Sequence, residues 1–317
     1  MENNNTCKVC DNAENNKAFV AQELQLGLKD EFDYFECSSC GCVQIKEPPE
    51  NIGKYYPKDY YSFRIIDSSK KPSLTQKVLF RAGKLGMRCK IKNSNFITNL
   101  IGNKLYPYHK WIIKDLIKYD SSILDVGCGD GNLLLKLQKF GFKNLSGADP
   151  FIKETIIHNP SLIIQKKYIY ELTEQYDFIM FHHSFEHMDN PMKIFNEIYR
   201  LLKHNASVLI RIPLASSYAW KKYGKYWVQL DAPRHFYLHT INSISILAKK
   251  ANLKLYKTEF DSAYTQFTGS EKYLLNLAPT DDKQVFNKKE IARYKKLARQ
   301  LNKTGEGDSA CFYLKKE

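Results

Sequence analysis

Residues 121–132 read SSILDVGCGDGN, a short apolar run that closes on an aspartate and three alternating glycines. SSILDV suits a strand buried in a parallel sheet, and the NLLLKLQKF that follows has helical spacing up to a closing Gly141. Asp125, Gly127, Gly129 and Gly131 therefore fill a strand-to-helix turn. Glycines there let the backbone approach a ligand, and the first helical turn offers free N–H groups to an anion. The spacing is D-x-G-x-G-x-G. It departs from the G-x-G-x-x-G of nicotinamide sites, because Asn132 stands where that pattern needs its third glycine. A P-loop is excluded too, since no G-K-[ST] occurs.

Downstream, strands and helices alternate. NLSGAD, LIIQ, YDFIMF, ASVLIRIP, KLYKTEF and GDSACFYLKK read as further strands. A helix starts at Asn190-Pro191, with proline at its first position, and others are predicted at INSISILAKKANL and 288–302. This order predicts an α/β fold: a Rossmann-like, seven-stranded, mainly parallel sheet over residues 119–317. Asp149 ends the second strand, where a carboxylate accepts ribose hydroxyls in dinucleotide sites.

Upstream, Cys7, Cys10, Cys37 and Cys40 form two C-x2-C pairs separated by 26 residues. Two such knuckles bring four sulfurs to the corners of a tetrahedron, as a closed Zn²⁺ site requires. Gly41 suits the tight turn after the second pair, and KAFVAQ and EFDYFEC read as short strands between the pairs. Residues 1–46 are thus expected to be a small zinc-ribbon module with structural zinc. Cys42 is the weaker alternative ligand, while Cys89, Cys128 and Cys311 read as small buried side chains. Residues 47–118 form a Pro- and Tyr-rich connector, with Tyr55, Tyr56, Tyr60 and Tyr61, and then a basic, mainly helical region.

The net charge of +14 is uneven: −5 over residues 1–60, +11 over 61–118 and +8 beyond. Contact with phosphate groups, or peripheral membrane contact through residues 70–92, accounts for the basic stretch; so does a chain rich in lysine throughout that needs no partner. An acidic cysteine module argues against a grip on nucleic acid. With 43% hydrophobic residues, no long uncharged apolar run and no secretory layout at the start, a cytoplasmic globular protein is expected.

D-x-G-x-G-x-G at the end of the first strand resembles motif I of the class I S-adenosylmethionine (SAM)-dependent methyltransferases. Asp149 in LSGADP, the Glu-His pair of YDFIMFHHSFEHMDNP, RLLKHNASVLIRIP and the DAPRHFYLHT segment resemble later parts of the family in the same order. The four-cysteine module with a YYPKDYY-like connector is further similar to bacterial methyltransferases of surface-glycan and natural-product pathways, deoxysugar C-methyltransferases among them. Those carry an additional C-terminal domain for which this chain is too short, so O-methylation is somewhat favoured.

The resemblance implies SAM as co-substrate and a small-molecule acceptor, a sugar or nucleotide-linked sugar. It places Asp125, Gly127, Cys128, Gly129, Gly131, Asp149, Pro150, Tyr168 and His183 around the cofactor. Hydroxyl methylation calls for a general base, and His235, His187 and Glu186 are the catalytic candidates. Trp220, Tyr223, Tyr226 and Trp227 are equally readable as a substrate-stacking lid or as core. Two rival functions stay open: an RNA methyltransferase bearing a zinc ribbon, and a SAM-binding scaffold without turnover.

Overall fold

The computed structural model describes residues 5–57, 81 and 117–317. Most of the expected helical region at 74–118, with Tyr60, Tyr61, Cys89 and most of the basic stretch, lies outside the described residues. In chain order the strands are β1 (Lys17–Gln22), β2 (Glu31–Glu36), β3 (Val43–Ile45), β4 (Ser122–Val126), β5 (Asn144–Ala148), β6 (Ile156–Asn159), β7 (Leu162–Gln165), β8 (Tyr176–His182), β9 (Leu202–Pro213), β10 (Tyr237–Leu238), β11 (Leu253–Phe260) and β12 (Ser309–Lys316). The helices are α1 (Asn132–Phe140), α2 (Pro191–Leu201), α3 (Tyr218–Tyr223), α4 (Ile241–Lys250), α5 (Thr265–Leu274) and α6 (Lys288–Thr304).

One sheet has eight strands in the order β11-β12-β9-β8-β4-β5-β7-β6, which corrects the seven-stranded, mainly parallel expectation to an eight-stranded mixed sheet. The extra strand is β6, antiparallel to β7 across an Asn159–Ser161 turn in which the Ser161 N–H donates to Asn159 Oδ1 at 3.0 Å. A four-residue edge strand next to a proline leaves little periodicity to read. At the centre the expectation holds: β4 runs parallel to β5 and β8, and β5 runs parallel to β7. Helix α1 ends on Gly141 in the left-handed conformation at φ 111°, whose N–H caps the last turn.

The chain divides into two compact units. The first comprises Met1–Lys58, His182–Tyr199 and Ile210–Leu314. In it β1, β2 and β3 form a second sheet that continues into β10. Tyr34, Val43 and Ile45 share one buried core with Trp227, Leu238, Phe267 and Leu301. No discrete zinc-ribbon module is delineated, which corrects that expectation. Three short strands bury too little apolar surface to stand alone, and their inner faces pack on the body of the unit. Trp227, fully buried, and Tyr223 belong to this same core. The second unit, Asp59–Phe181, Arg200–Leu209 and Lys315–Glu317, holds the strand-to-helix turn after β4.

Candidate functional site

In the second unit, Asp125 sits in the buried run of β4, one residue before its end at Val126, and the chain then takes three left-handed glycines: Gly127 (φ 72°), Gly129 (φ 54°) and Gly131 (φ 78°). The alternation lets the loop turn tightly, with Gly127 N–H donating across to Ala148 O on β5 (2.8 Å) and Gly131 N–H donating within the loop to Cys128 O (3.1 Å). A Cβ on Gly131 would stand 2.5 Å from Ile164 Cδ1 on β7, so glycine is required there for space as well as conformation. Gly147 on β5 is equally pinned: a Cβ there would meet Cys128 Sγ at 2.6 Å.

Both carboxylates expected at this turn are buried. The Asp149 oxygens are held by backbone donors, Oδ2 by Gly129 N–H and Oδ1 by Phe151 N–H, each at 2.9 Å. Burial first, and the Asp149 charge second, push the Asp125 carboxyl well above the usual range. His158, which no motif marks, donates from Nε2 to Asp130 O at 2.8 Å and braces the loop from β6. The first turn of α1 has no side-chain cap, leaving its N–H groups to face a ligand. Pro150 is partly buried beside Asp149. Tyr168 is exposed and stacks on Tyr170, ring centroids 5.0 Å apart.

In the first unit, the two cysteine knuckles meet. Cys7 Sγ lies 3.6 Å from Cys40 Sγ, Cys10 Sγ lies 3.5 Å from Cys37 Sγ, and all four sulfurs fall within 4.8 Å of one another. A tetrahedral zinc with Zn–S of about 2.3 Å asks for sulfurs ~3.8 Å apart. Gln44 Nε2 donates to Cys7 Sγ at 2.8 Å and Cys40 N–H to Cys37 Sγ at 3.5 Å, a supporting layer of the kind that steadies thiolates on a metal. The bond from the Cys40 thiol outweighs burial and brings Cys7 down to about 5. Each knuckle closes on a left-handed residue, Asp11 (φ 62°) and Gly41 (φ 71°), of which only the glycine was legible. Cys42 turns away, its sulfur 3.8 Å from His239 Nδ1, and is not part of the set.

The same unit brings Glu186, His187 and His235 together, each offering a ligand atom within 4.8 Å of the others. His183, after β8, takes φ 52°, a left-handed conformation rare for a non-glycine residue. Its Nδ1 lies 3.3 Å from Glu186 Oε1, an ion-pair distance. Burial alone would raise the Glu186 carboxyl; His183 and the charges of His187 and His235 outweigh it and hold the group at about 2. Burial lowers His187, whose Nδ1–H donates to Arg234 O at 2.8 Å, with the Tyr56 hydroxyl 3.1 Å from the same nitrogen. His235 Nδ1–H donates to Gln229 O at 2.7 Å.

The segment carrying His235 is fixed by a residue that sequence reasoning passed over. Arg234 is fully buried, donates to both Asp231 oxygens, and reaches Glu23 Oε1 at 2.9 Å and Tyr55 O at 3.2 Å. Tyr34 adds a bond from its hydroxyl to His235 O at 2.9 Å.

Residues 106–258, a little under half of the chain, match a family model described as a methyltransferase domain. A stretch of 40 residues, 13% of this chain, is 48% identical to human EEF1A lysine methyltransferase 2, and a stretch of the same length is 45% identical to the mouse protein. The matches span 17% and 16% of those proteins, so the chain covers less than a fifth of the curated relatives' length. Among solved structures, the cyclopropane synthase MmaA2 of Mycobacterium tuberculosis is 17% identical over 62% of this chain and 78% of its own, with a TM-score of 0.41. A SAM-dependent methyltransferase from Archaeoglobus fulgidus is 20% identical over 69% and 94%, with a TM-score of 0.43. The family match spans the glycine turn and the strands on either side of it, and the fold is α/β and Rossmann-like.

Proposed function

We propose that this chain transfers the methyl group of SAM to a small molecule, and that the acceptor is a sugar or nucleotide-linked sugar. The observation that carries the reading is the turn after β4: three left-handed glycines, one with no room for a side chain, and the buried Asp149 on the neighbouring strand end. Such a turn suits a ligand that is cationic and zwitterionic at once. Two buried carboxyls favour an ammonium, a sulfonium and ribose hydroxyls, while the uncapped start of α1 favours a carboxylate. Asp149 keeps lone pairs for a ribose because each of its oxygens accepts one backbone bond.

SAM brings a methyl group already activated on sulfur, so the protein's share is to bind, orient and exclude water. Removal of the acceptor's hydroxyl proton falls to the Glu186–His187–His235 cluster. The four thiolates hold structural zinc, since a closed set of four sulfurs leaves no open position for chemistry. The acceptor class rests on the resemblance of the cysteine module, the connector and the following domain to glycan-pathway enzymes, and we assign the protein to the cytoplasm. The test is incubation with methyl-labelled SAM and a panel of free sugars, nucleotide sugars and mixed RNA. Label in a sugar-bearing product supports the proposal; label in RNA alone, or SAM binding with no product from any acceptor, contradicts it.

A further inference from the structure

The Glu186–His187–His235 cluster has the donor chemistry of a second metal site, distinct from the four cysteines. Both imidazoles commit Nδ1–H to a backbone carbonyl, Arg234 O for His187 and Gln229 O for His235. That leaves Nε2 of each ring as the nitrogen open to a metal, the usual arrangement of a histidine that binds metal through one nitrogen and is oriented through the other. The third donor is unusual for a folded interior. The Glu186 side chain is 1% exposed, and among the described residues neither carboxylate oxygen has a hydrogen-bond partner. His183 Nδ1, 3.3 Å from Oε1, pairs with it when the imidazole is protonated. A buried carboxylate left so is costly unless a cation completes it.

Charge points the same way. Near the cluster lie the buried Glu23 and the half-buried Asp231, both paired with the guanidinium of Arg234. Arg234 is committed to Asp231 and Glu23, so within this group Glu186 faces only imidazoles. Asp231 Oδ2 stands 3.8 Å from His235 Nε2, outside the ligand set but close enough to add to the field.

We propose that Glu186 and the Nε2 atoms of His187 and His235 bind one divalent transition-metal ion of the Zn²⁺ type. Two imidazoles and one carboxylate are borderline donors that favour such an ion over Mg²⁺ or Ca²⁺. Three protein ligands leave a fourth position open to water or to an oxygen of a bound molecule, unlike the closed set of four thiolates. A metal there would replace the free base of the methyl-transfer reading with a metal-held oxygen; it is tested without any methyl acceptor, so the two can fail separately.

The full chain is equilibrated with Zn²⁺, freed of loosely held metal by gel filtration, and its zinc counted per chain beside Glu186→Gln and His235→Gln. Each variant is expected to hold about one equivalent fewer than the parent; an unchanged count overturns the site. The Co²⁺-loaded proteins check folding, because thiolate-to-cobalt absorption from the cysteine set must be equal in parent and variant. Should the variants fail that check, zinc X-ray absorption on the parent decides. Nitrogen and oxygen neighbours at about 2.0–2.1 Å beside sulfur at about 2.3 Å support the site, and a sulfur-only shell overturns it.

Discussion

The turn after β4 and the buried network around Arg234 solve opposite problems. The turn is made from what side chains leave out: three left-handed glycines and a tight seat against Ile164. The network is made from what side chains bring in: a guanidinium, three carboxylates and two imidazoles, buried or half-buried in the first unit. A backbone cradle tolerates almost no addition, whereas a buried charge network tolerates almost no removal. Substitutions should therefore hurt the two regions in opposite directions.

The largest effect is expected in the network. Arg234→Ala leaves Asp231 and Glu23 buried without their cation and should cost about 3–5 kcal/mol in denaturant unfolding. A loss under about 1 kcal/mol would mean that water reaches the pair. In the turn, Gly131→Ala adds one methyl group at φ 78° against Ile164. It should cost about 2–4 kcal/mol from conformation and overpacking together, and Ile164→Val should recover part of it.

The difference also explains what the sequence disclosed. Glycine spacing is local, so Asp125, Gly127, Gly129 and Gly131 could be read as a turn, and Gly41 as part of a knuckle. The Arg234 network joins residues some 200 positions apart in the chain, and nothing near Glu23 marks it as the partner of Arg234. The same holds for His158, which reaches Asp130 O only because β6 pairs back onto β7. That edge strand is too short to show alternation, which is why eight strands stand where seven were expected. The aromatic stretch after β9 was readable either way from sequence, and contacts alone place Trp227 and Tyr223 in the core.

A third, smaller effect sharpens the point about buried charge. Asp308 is buried and accepts from Trp227 Nε1 at 3.1 Å. Burial, only partly offset by that bond, pushes its carboxyl up to about 6. Because the folded form holds its proton more tightly than the unfolded chain, the stabilisation is complete below about pH 4 and is lost as pH rises through 6. That loss amounts to about 3 kcal/mol at most. Asp308→Asn keeps an acceptor for the indole without the charge, so its melting temperature should match the parent at pH 4 and exceed it at pH 7. Equal pH profiles for the two proteins would show that Asp308 ionises freely in the fold.

The most direct test of the cradle is calorimetric titration of SAM into the parent protein and Asp149→Ala, with the fold of each checked by circular dichroism. The parent should bind one SAM per chain, and the variant should bind at least about tenfold more weakly, a loss of ~1.4 kcal/mol or more. No saturable binding to the parent, or equal affinity in the two proteins, would contradict the assignment of this turn to SAM.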